Sequence, residues 1–292
     1  MNKGLPIMND AKMVKLNKTP FTFLEGPIWC KRRKMLFFSD PLDQAIIAMD
    51  KLGNFKKISS NSGYVNGMCI NNEGNLVVCK METGSLEEID PDNGKTLRVI
   101  SAGYRGKPFN ATNDVICDNK GGYYVTDPFF TYGPRTQDIE ATYYVKPDGQ
   151  TLRVATESIK PNGLALSVDG SKLYIDDTGS TKVWCYDVND DGMLSNPTVF
   201  CNIQPPPDIS ALPPVQHFGE ADGMKIDSQG NVYVTTFNGI QVFDASGNYL
   251  GTIKMPGEET PANLAFGDDN LDTIFITART SLYCMKTNIP GI

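Results

Sequence analysis

The sequence predicts an all-β fold, a six-bladed propeller with four-stranded blades whose ring is closed by an N-terminal strand. Three observations predict it. Short alternating or β-branched runs dominate, and long amphipathic helices are absent. Turns rich in Gly, Asn and Asp ("NNEG", "DNKG", "SVDG", "DSQG", "GDDN") separate the runs as they do in hairpins. One phrase also recurs, a side-chain oxygen followed by apolar-polar alternation, as in "ATNDVICD", "KPNGLALS" and "EADGMKID".

The blades read in order. The first runs "EGPIWCKRRKMLFFSD" from Glu25, the second "NGMCINNEGNLVVCK" from Asn66 and the third "NDVICDNKGGYYVTD" from Asn113. The fourth runs "NGLALSVDGSKLYIDD" from Asn162, the fifth "DGMKIDSQGNVYVTT" from Asp222 and the sixth "NLAFGDDNLDTIFITA" from Asn263. Each phrase is a hairpin. Third strands follow in "AIIAMDKLGN", "SLEEIDPDNG", "TYYVKPDGQ", "KVWCYDVNDDG" and "IQVFDASGN", and fourth strands in "FKKIS", "TLRVIS", "TLRVATE", "PTVFCN" and "YLGTIKM". Successive starts are 41, 47, 49, 60 and 41 residues apart, the spacing of propeller blades. The sixth blade ends at "SLYCMKTN" without a fourth strand. "KMVKLN" at 12–17 is expected to supply it, covering two open sheet edges. The Pro-rich segment 203–219 accounts for the 60-residue interval as a long loop.

Composition narrows the function. The chain has 292 residues, 40% hydrophobic and 21% charged, which suits one globular domain over 1–292. A net charge of −7 argues against a nucleic-acid partner. "KRRK" at 31–34 reads as a solvated turn. The start lacks the apolar region of a signal peptide, and no run of about 18 apolar residues could cross a membrane. The seven cysteines are odd in number and form no C-x-x-C pair. They read as reduced core residues of a cytoplasmic protein. No G-x-S-x-G, G-x-G-x-x-G or G-x-x-x-x-G-K-[ST] motif is present.

Innermost strands line a propeller's channel, so the six phrase-opening residues should form a ring: Glu25, Asn66, Asn113, Asn162, Asp222 and Asn263. All carry a side-chain oxygen, although Asn and Asp are depleted in strands. Carboxylates and amide oxygens converging on one axis make a hard-cation site. Calcium takes 6–8 oxygen ligands and tolerates amides, and no His or Cys stands in the ring to favour zinc or copper. Asp114, next to Asn113, is expected on the opposite face of its strand in a structural role.

These residues carry a family resemblance. "LEGPIW…MLFFSD", "NATNDVICDNKGGYYVTDP", "KPNGLALSVDGSKLYIDDT", "ADGMKIDSQGNVYVTTFNGIQVFD" and "LYCMKTNIPG" together resemble the gluconolactonase, regucalcin and luciferin-regenerating enzyme family, over about residues 20–291. The resemblance implies a six-bladed propeller, one divalent metal in the channel, usually calcium, and hydrolysis of small-molecule lactones. It places metal-binding positions on Glu25, Asn162 and Asp222, and a substrate- or metal-contacting position on Asn113. Some sugar-lactonase members carry an Arg where this chain has Ala111; Arg105 and Lys107 are the nearby alternatives.

Lactone hydrolysis needs a polarised carbonyl, an activated water and a protonated leaving oxygen. A divalent ion can serve the first two, and a carboxylate base assists it. Asp222 is the candidate ligand and base, with the lone histidine, His217, as the other base to test. Phe129, Phe130 and Tyr132 are candidates for the channel entrance. Two other functions fit the same pattern: a propeller hydrolase of organophosphates or aromatic lactones, and a non-catalytic binding scaffold.

Overall fold

The computed structural model describes residues 4–8, 11–130, 134–205, 221–257 and 259–292. It begins with β1 (Val14–Lys15). Blade one is β2 (Glu25–Cys30), β3 (Met35–Asp40), β4 (Ala45–Met49) and β5 (Phe55–Ser59). Blade two is β6 (Val65–Ile70), β7 (Leu76–Lys80), β8 (Ser85–Ile89) and β9 (Thr96–Ser101). Blade three is β10 (Val115–Cys117), β11 (Tyr123–Asp127), β12 (Ala141–Val145) and β13 (Thr151–Ala155). Blade four is β14 (Pro161–Leu166), β15 (Lys172–Asp177), β16 (Lys182–Val188) and β17 (Leu194–Asn202). Blade five is β18 (Met224–Ile226), β19 (Val232–Thr236), β20 (Gly239–Phe243) and β21 (Tyr249–Ile253). Blade six is β22 (Asn263–Gly267), β23 (Thr273–Ala278) and β24 (Ser281–Lys286), with β1 as its fourth strand. This is the six-bladed propeller the repeats imply. No helix occurs among the described residues.

The turns explain why the repeat is legible. Asn71, Asp118 and Asp227 each accept, on one side-chain oxygen, the N–H groups two and four residues on, at 2.7–3.1 Å. This is the bond that Asx side chains offer a turn. Gly74, Gly121 and Gly230 then take φ near +80°, which glycine adopts without a Cβ clash.

Apolar alternation along the strands packs blade against blade. Among the described residues there are six buried clusters, one at each blade boundary. The cluster closing the ring joins Leu24, Trp29 and Phe38 of the first blade to Phe275 and Leu282 of the sixth. The seam itself pairs Val14 with Cys284 and Lys15 with Tyr283. Asn17 clasps it with both ends of its amide: Nδ2 donates to the Thr280 carbonyl at 3.0 Å, and Oδ1 accepts from the Leu282 N–H at 2.8 Å. All seven cysteines are free thiols, four buried and three half-buried.

Candidate functional site

Register fixes which residues share a height in the channel. Met68, Val115, Leu164, Met224 and Leu264 pair with Val78, Val125, Ile175, Val234 and Ile276, equivalent positions of the second strands. In blade one Ile28 pairs with Phe37, which puts Pro27 at that level. Two residues earlier stand Glu25, Asn66, Asn113, Asn162, Asp222 and, in blade six, Ala262. Asn263 is therefore not the sixth ring member. It is one residue deeper, where the other blades have Gly26, Gly67, Asp114, Gly163 and Gly223.

That deeper level corrects the reading of Asp114 as well. Regular pairing in blade three starts at Val115, and the Asp114 carboxylate turns back to accept the Val115 N–H at 2.9 Å. Its other oxygen lies 3.4 Å from Asn263 Nδ2 and 3.8 Å from Lys225 Nζ, so Asp114 faces the channel. The two long side chains of this level occupy the space over two of its glycines. A Cβ on Gly67 would meet Asp114 Oδ1 at 2.4 Å, and one on Gly223 would meet the Asn263 side chain at 2.2 Å.

The upper ring forms the floor of a cavity of about 380 Å³ that Glu25, Asn66, Asn113, Asn162 and Asp222 all line. Glu25 is 4% exposed. Burial, then the charge of Asp222, pushes its carboxyl well above the usual carboxylate range, against the Gly26 N–H at 3.2 Å and a hydrogen bond from Asn263. Asn162 is oriented by a chain of bonds. The Thr178 hydroxyl donates to the Ala221 carbonyl at 2.6 Å, so its oxygen must accept, and Asn162 Nδ2 donates to it at 3.0 Å. The same Nδ2 donates to Asp222 Oδ1 at 2.9 Å. Asn162 Oδ1 is thereby turned away from both and presented as an acceptor.

Three carboxylates at the ends of second strands aim the loops that carry ring residues. Asp40 accepts the N–H groups of Thr22 and Phe23, Asp127 those of Asn110 and Ala111, and Asp177 those of Ile159 and Lys160, all at 2.7–3.0 Å. Each pair lies three and two residues before a ring member: Glu25, Asn113 and Asn162. The acids that end "FFSD", "YVTD" and "YIDD" were the signal for this clamp in the sequence.

One residue earlier on these strands is a hydroxyl that holds the next blade. Ser39 donates to the Asn66 carbonyl at 2.8 Å, Thr126 to that of Asn162 at 2.7 Å and Thr235 to that of Ala262 at 2.6 Å. Blade four has Asp176 instead. Its Oδ1 accepts the Gly163 N–H at 2.9 Å, while Oδ2 is buried without a partner. Burial, with Asp222 next, raises its pKa well above the ordinary value.

Of the other expectations, Phe130 lines the cavity and Phe129 bonds Glu140 through its N–H at 3.0 Å. Arg105 lies over the Tyr104 ring at 5.1 Å, and neither it nor Lys107 lines the cavity. His217, Tyr132 and the loop from 206 to 219 lie outside the described residues. Among the described residues no three His, Cys, Asp or Glu side chains cluster as a metal site, so a cation here would draw on the amides as well. The set suits one: two carboxylates and three amides, with no Lys or Arg on the floor among the described residues.

Comparison with known proteins agrees with this architecture. The chain is 27% identical over 308 residues to a gluconolactonase of Zymomonas mobilis, a match covering 98% of this chain and 84% of that one. It is 32% identical over 277 residues to lactonase drp35 of Staphylococcus epidermidis, covering 88% and 79%. The solved gluconolactonase of Xanthomonas campestris superposes with a TM-score of 0.85 at 27% identity, covering 98% of this chain and 92% of that one. Residues 23–280, which hold every ring position, match the family described as the SMP-30/Gluconolactonase/LRE-like region, and the chain belongs to that family.

Proposed function

We propose that the chain hydrolyses a sugar lactone with the help of one divalent cation, calcium being the ion its donors suit. The observation that carries this reading is the floor of the cavity, where two carboxylates, Glu25 and Asp222, converge with three amides, Asn66, Asn113 and Asn162. Glu25, Asn113, Asn162 and Asp222 would hold the ion. When bound, it supplies Lewis-acid polarisation of the ester carbonyl and lowers the pKa of water.

The chain's own groups do the rest. Asp222 takes a proton from the attacking water and later returns it to the leaving ring oxygen. Asn162 Nδ2 pins one oxygen of that carboxylate, fixing the direction in which the other can receive the proton. Asn113 makes no side-chain hydrogen bond among the described residues and contacts the substrate. The Asp40, Asp127 and Asp177 clamps keep three ring residues preorganised, so little reorganisation is spent at the moment of reaction.

A second reading, hydrolysis of an aromatic lactone, is favoured by Phe23, Phe130 and Phe237 on the cavity wall. The test is metal analysis of the purified protein, then a panel of sugar and aromatic lactones with and without chelator. Hydrolysis that stops on chelation and returns with calcium is expected. Undiminished activity after exhaustive chelation would remove the cation from the scheme, and a silent panel would remove lactone hydrolysis.

A further inference from the structure

Above the floor the cavity wall is largely apolar: Phe23, Leu42, Met81, Phe130 and Phe237. One cation lines it among the described residues, Arg279. This arginine is presented with unusual care. It opens the two-residue turn between β23 and β24, where Ala278 pairs with Ser281. The turn is tied down from outside: the Phe21 N–H donates to the Thr280 carbonyl at 3.0 Å and the Leu24 N–H to the Arg279 carbonyl at 2.7 Å. Arg279 sits at φ 49°, a left-handed conformation that glycine adopts most freely and that Arg279 shares with seven other non-glycine residues among those described.

The charge of Arg279 is not spent inside the protein. Its guanidinium lies over the Phe23 ring at 5.2 Å, and no carboxylate stands within ion-pair distance among the described residues. Lys160, which lies over the ring of the wall residue Phe130 at 4.7 Å, is different. Its Nζ donates to the Phe129 carbonyl at 2.9 Å and lies 4.0 Å from Glu140. No carboxylate among the described residues takes the N–H fork of this guanidinium, and that fork matches the two oxygens of a carboxylate or phosphate. With the two floor carboxylates matched by a divalent cation, Arg279 is the remaining charge of the cavity among the described residues.

We propose that Arg279 selects a lactone bearing an anionic substituent, a carboxylate or a phosphate, held at the rim while the ester lies on the floor. The inference rests on the lactonase reading and names its substrate class. Phe23 has two roles in it: it packs the face of Arg279 and forms the wall next to Glu25.

The test uses matched pairs of lactones with calcium present: γ-gluconolactone against γ-glucarolactone, which adds a carboxylate, and δ-gluconolactone against its form phosphorylated at the primary hydroxyl. The wild type should favour at least one anionic member by about tenfold or more in kcat/KM, most of it in KM, and added salt should erode that preference. Arg279→Gln should lower the anionic-to-neutral ratio by roughly 10- to 100-fold, as expected for a charge-assisted bidentate contact, and Arg279→Lys should restore part of it. Which pair responds separates carboxylate from phosphate. Arg279→Gly relieves the left-handed φ. It should melt no lower than wild type yet lose the same preference, which separates recognition from stability.

No anionic preference in the wild type, or a ratio unchanged by Arg279→Gln, overturns the proposal and leaves the lactonase reading standing. If no lactone turns over, the lactonase reading falls instead. Calorimetric titration with γ-glucarolactone then decides the anion site alone: tighter binding to wild type than to Arg279→Gln supports it, and equal binding overturns it.

Discussion

The two layers of the channel, one residue apart in every blade, surround their acids differently. Asp114 of the lower layer has a cation of the chain beside it, Lys225 at 3.8 Å, and the Asn263 amide at 3.4 Å. Glu25 and Asp222 of the upper layer stand among Asn66, Asn113 and Asn162, and no Lys or Arg shares that floor among the described residues. The same repeated phrase thus builds a layer with its own cation and, directly above it, the layer where the proposed function sets an exogenous one.

The largest expected effect that probes this contrast is on turnover. Asp222→Asn keeps the size and one oxygen donor but removes the base. It should cost on the order of 10²–10⁴ in kcat at saturating calcium, the usual contribution of a general base. Asn162→Ala should instead weaken calcium binding and regain activity with excess ion. Full recovery of Asp222→Asn at high calcium would make Asp222 a ligand only.

Calcium should stabilise the upper layer alone, by roughly 2.7 kcal/mol at a hundredfold excess over its Kd. Glu25, raised by burial and by Asp222, contributes stability to the cation-free protein below its unfolded pKa and loses it as pH rises towards its folded value. The melting temperature of chelated protein should therefore fall as pH rises above the ordinary carboxylate range, and calcium should flatten the slope. Glu25→Gln should raise the cation-free melting temperature and abolish the calcium response. A calcium response that survives in Glu25→Gln would place the ion elsewhere.

In the lower layer, Lys225→Met strands Asp114 and should cost about 1–3 kcal/mol, less than a fully buried pair because Lys225 is partly exposed. Adding Asp114→Asn should return most of it, with calcium affinity unchanged throughout. Denaturant titration of the two variants measures this, and calcium affinity that tracks Lys225 would erase the distinction between the layers.

The smallest effect belongs to Asp176, which stands where blades one, three, five and six have a hydroxyl and blade two has Cys79. Its raised pKa means that stability present at low pH is lost as pH rises. Asp176→Asn supplies a neutral donor near the Asp222 carbonyl, which, like Asp176 Oδ2, would lie 2.6 Å from a Cβ on Gly163. The variant should gain about 1 kcal/mol at pH 8 and almost nothing at pH 4. Identical pH–stability curves for the two proteins would reject the argument.

The blades were legible because local chemistry writes them: Asx side chains close the hairpins and alternation sets the faces. Four of the ring donors in the cavity floor open a phrase with Gly behind them or, at Glu25, break the amide pattern. Asn263 misled because blade six has no glycine after its asparagine; "ANL" aligns Ala262 with Asn162, and the missing Gly was the available clue. Asp114 misled because strict alternation was assumed in a stretch where the ladder has not yet begun. Arg279 and Lys225 had no sequence signal, since their meaning depends on which distant residues the ring brings beside them.

The seam carries a consequence for how the protein is made. Val14 cannot find Cys284 until the chain between them exists, which at ribosomal speeds takes on the order of tens of seconds. The same late contact anchors the turn that carries Arg279, through Phe21 and Leu24. A nascent chain with five folded blades would already hold all five donors of the floor and part of the wall, yet lack the seam. Acquisition of substrate selectivity would then be the last event of folding, and a functional readout of ring closure.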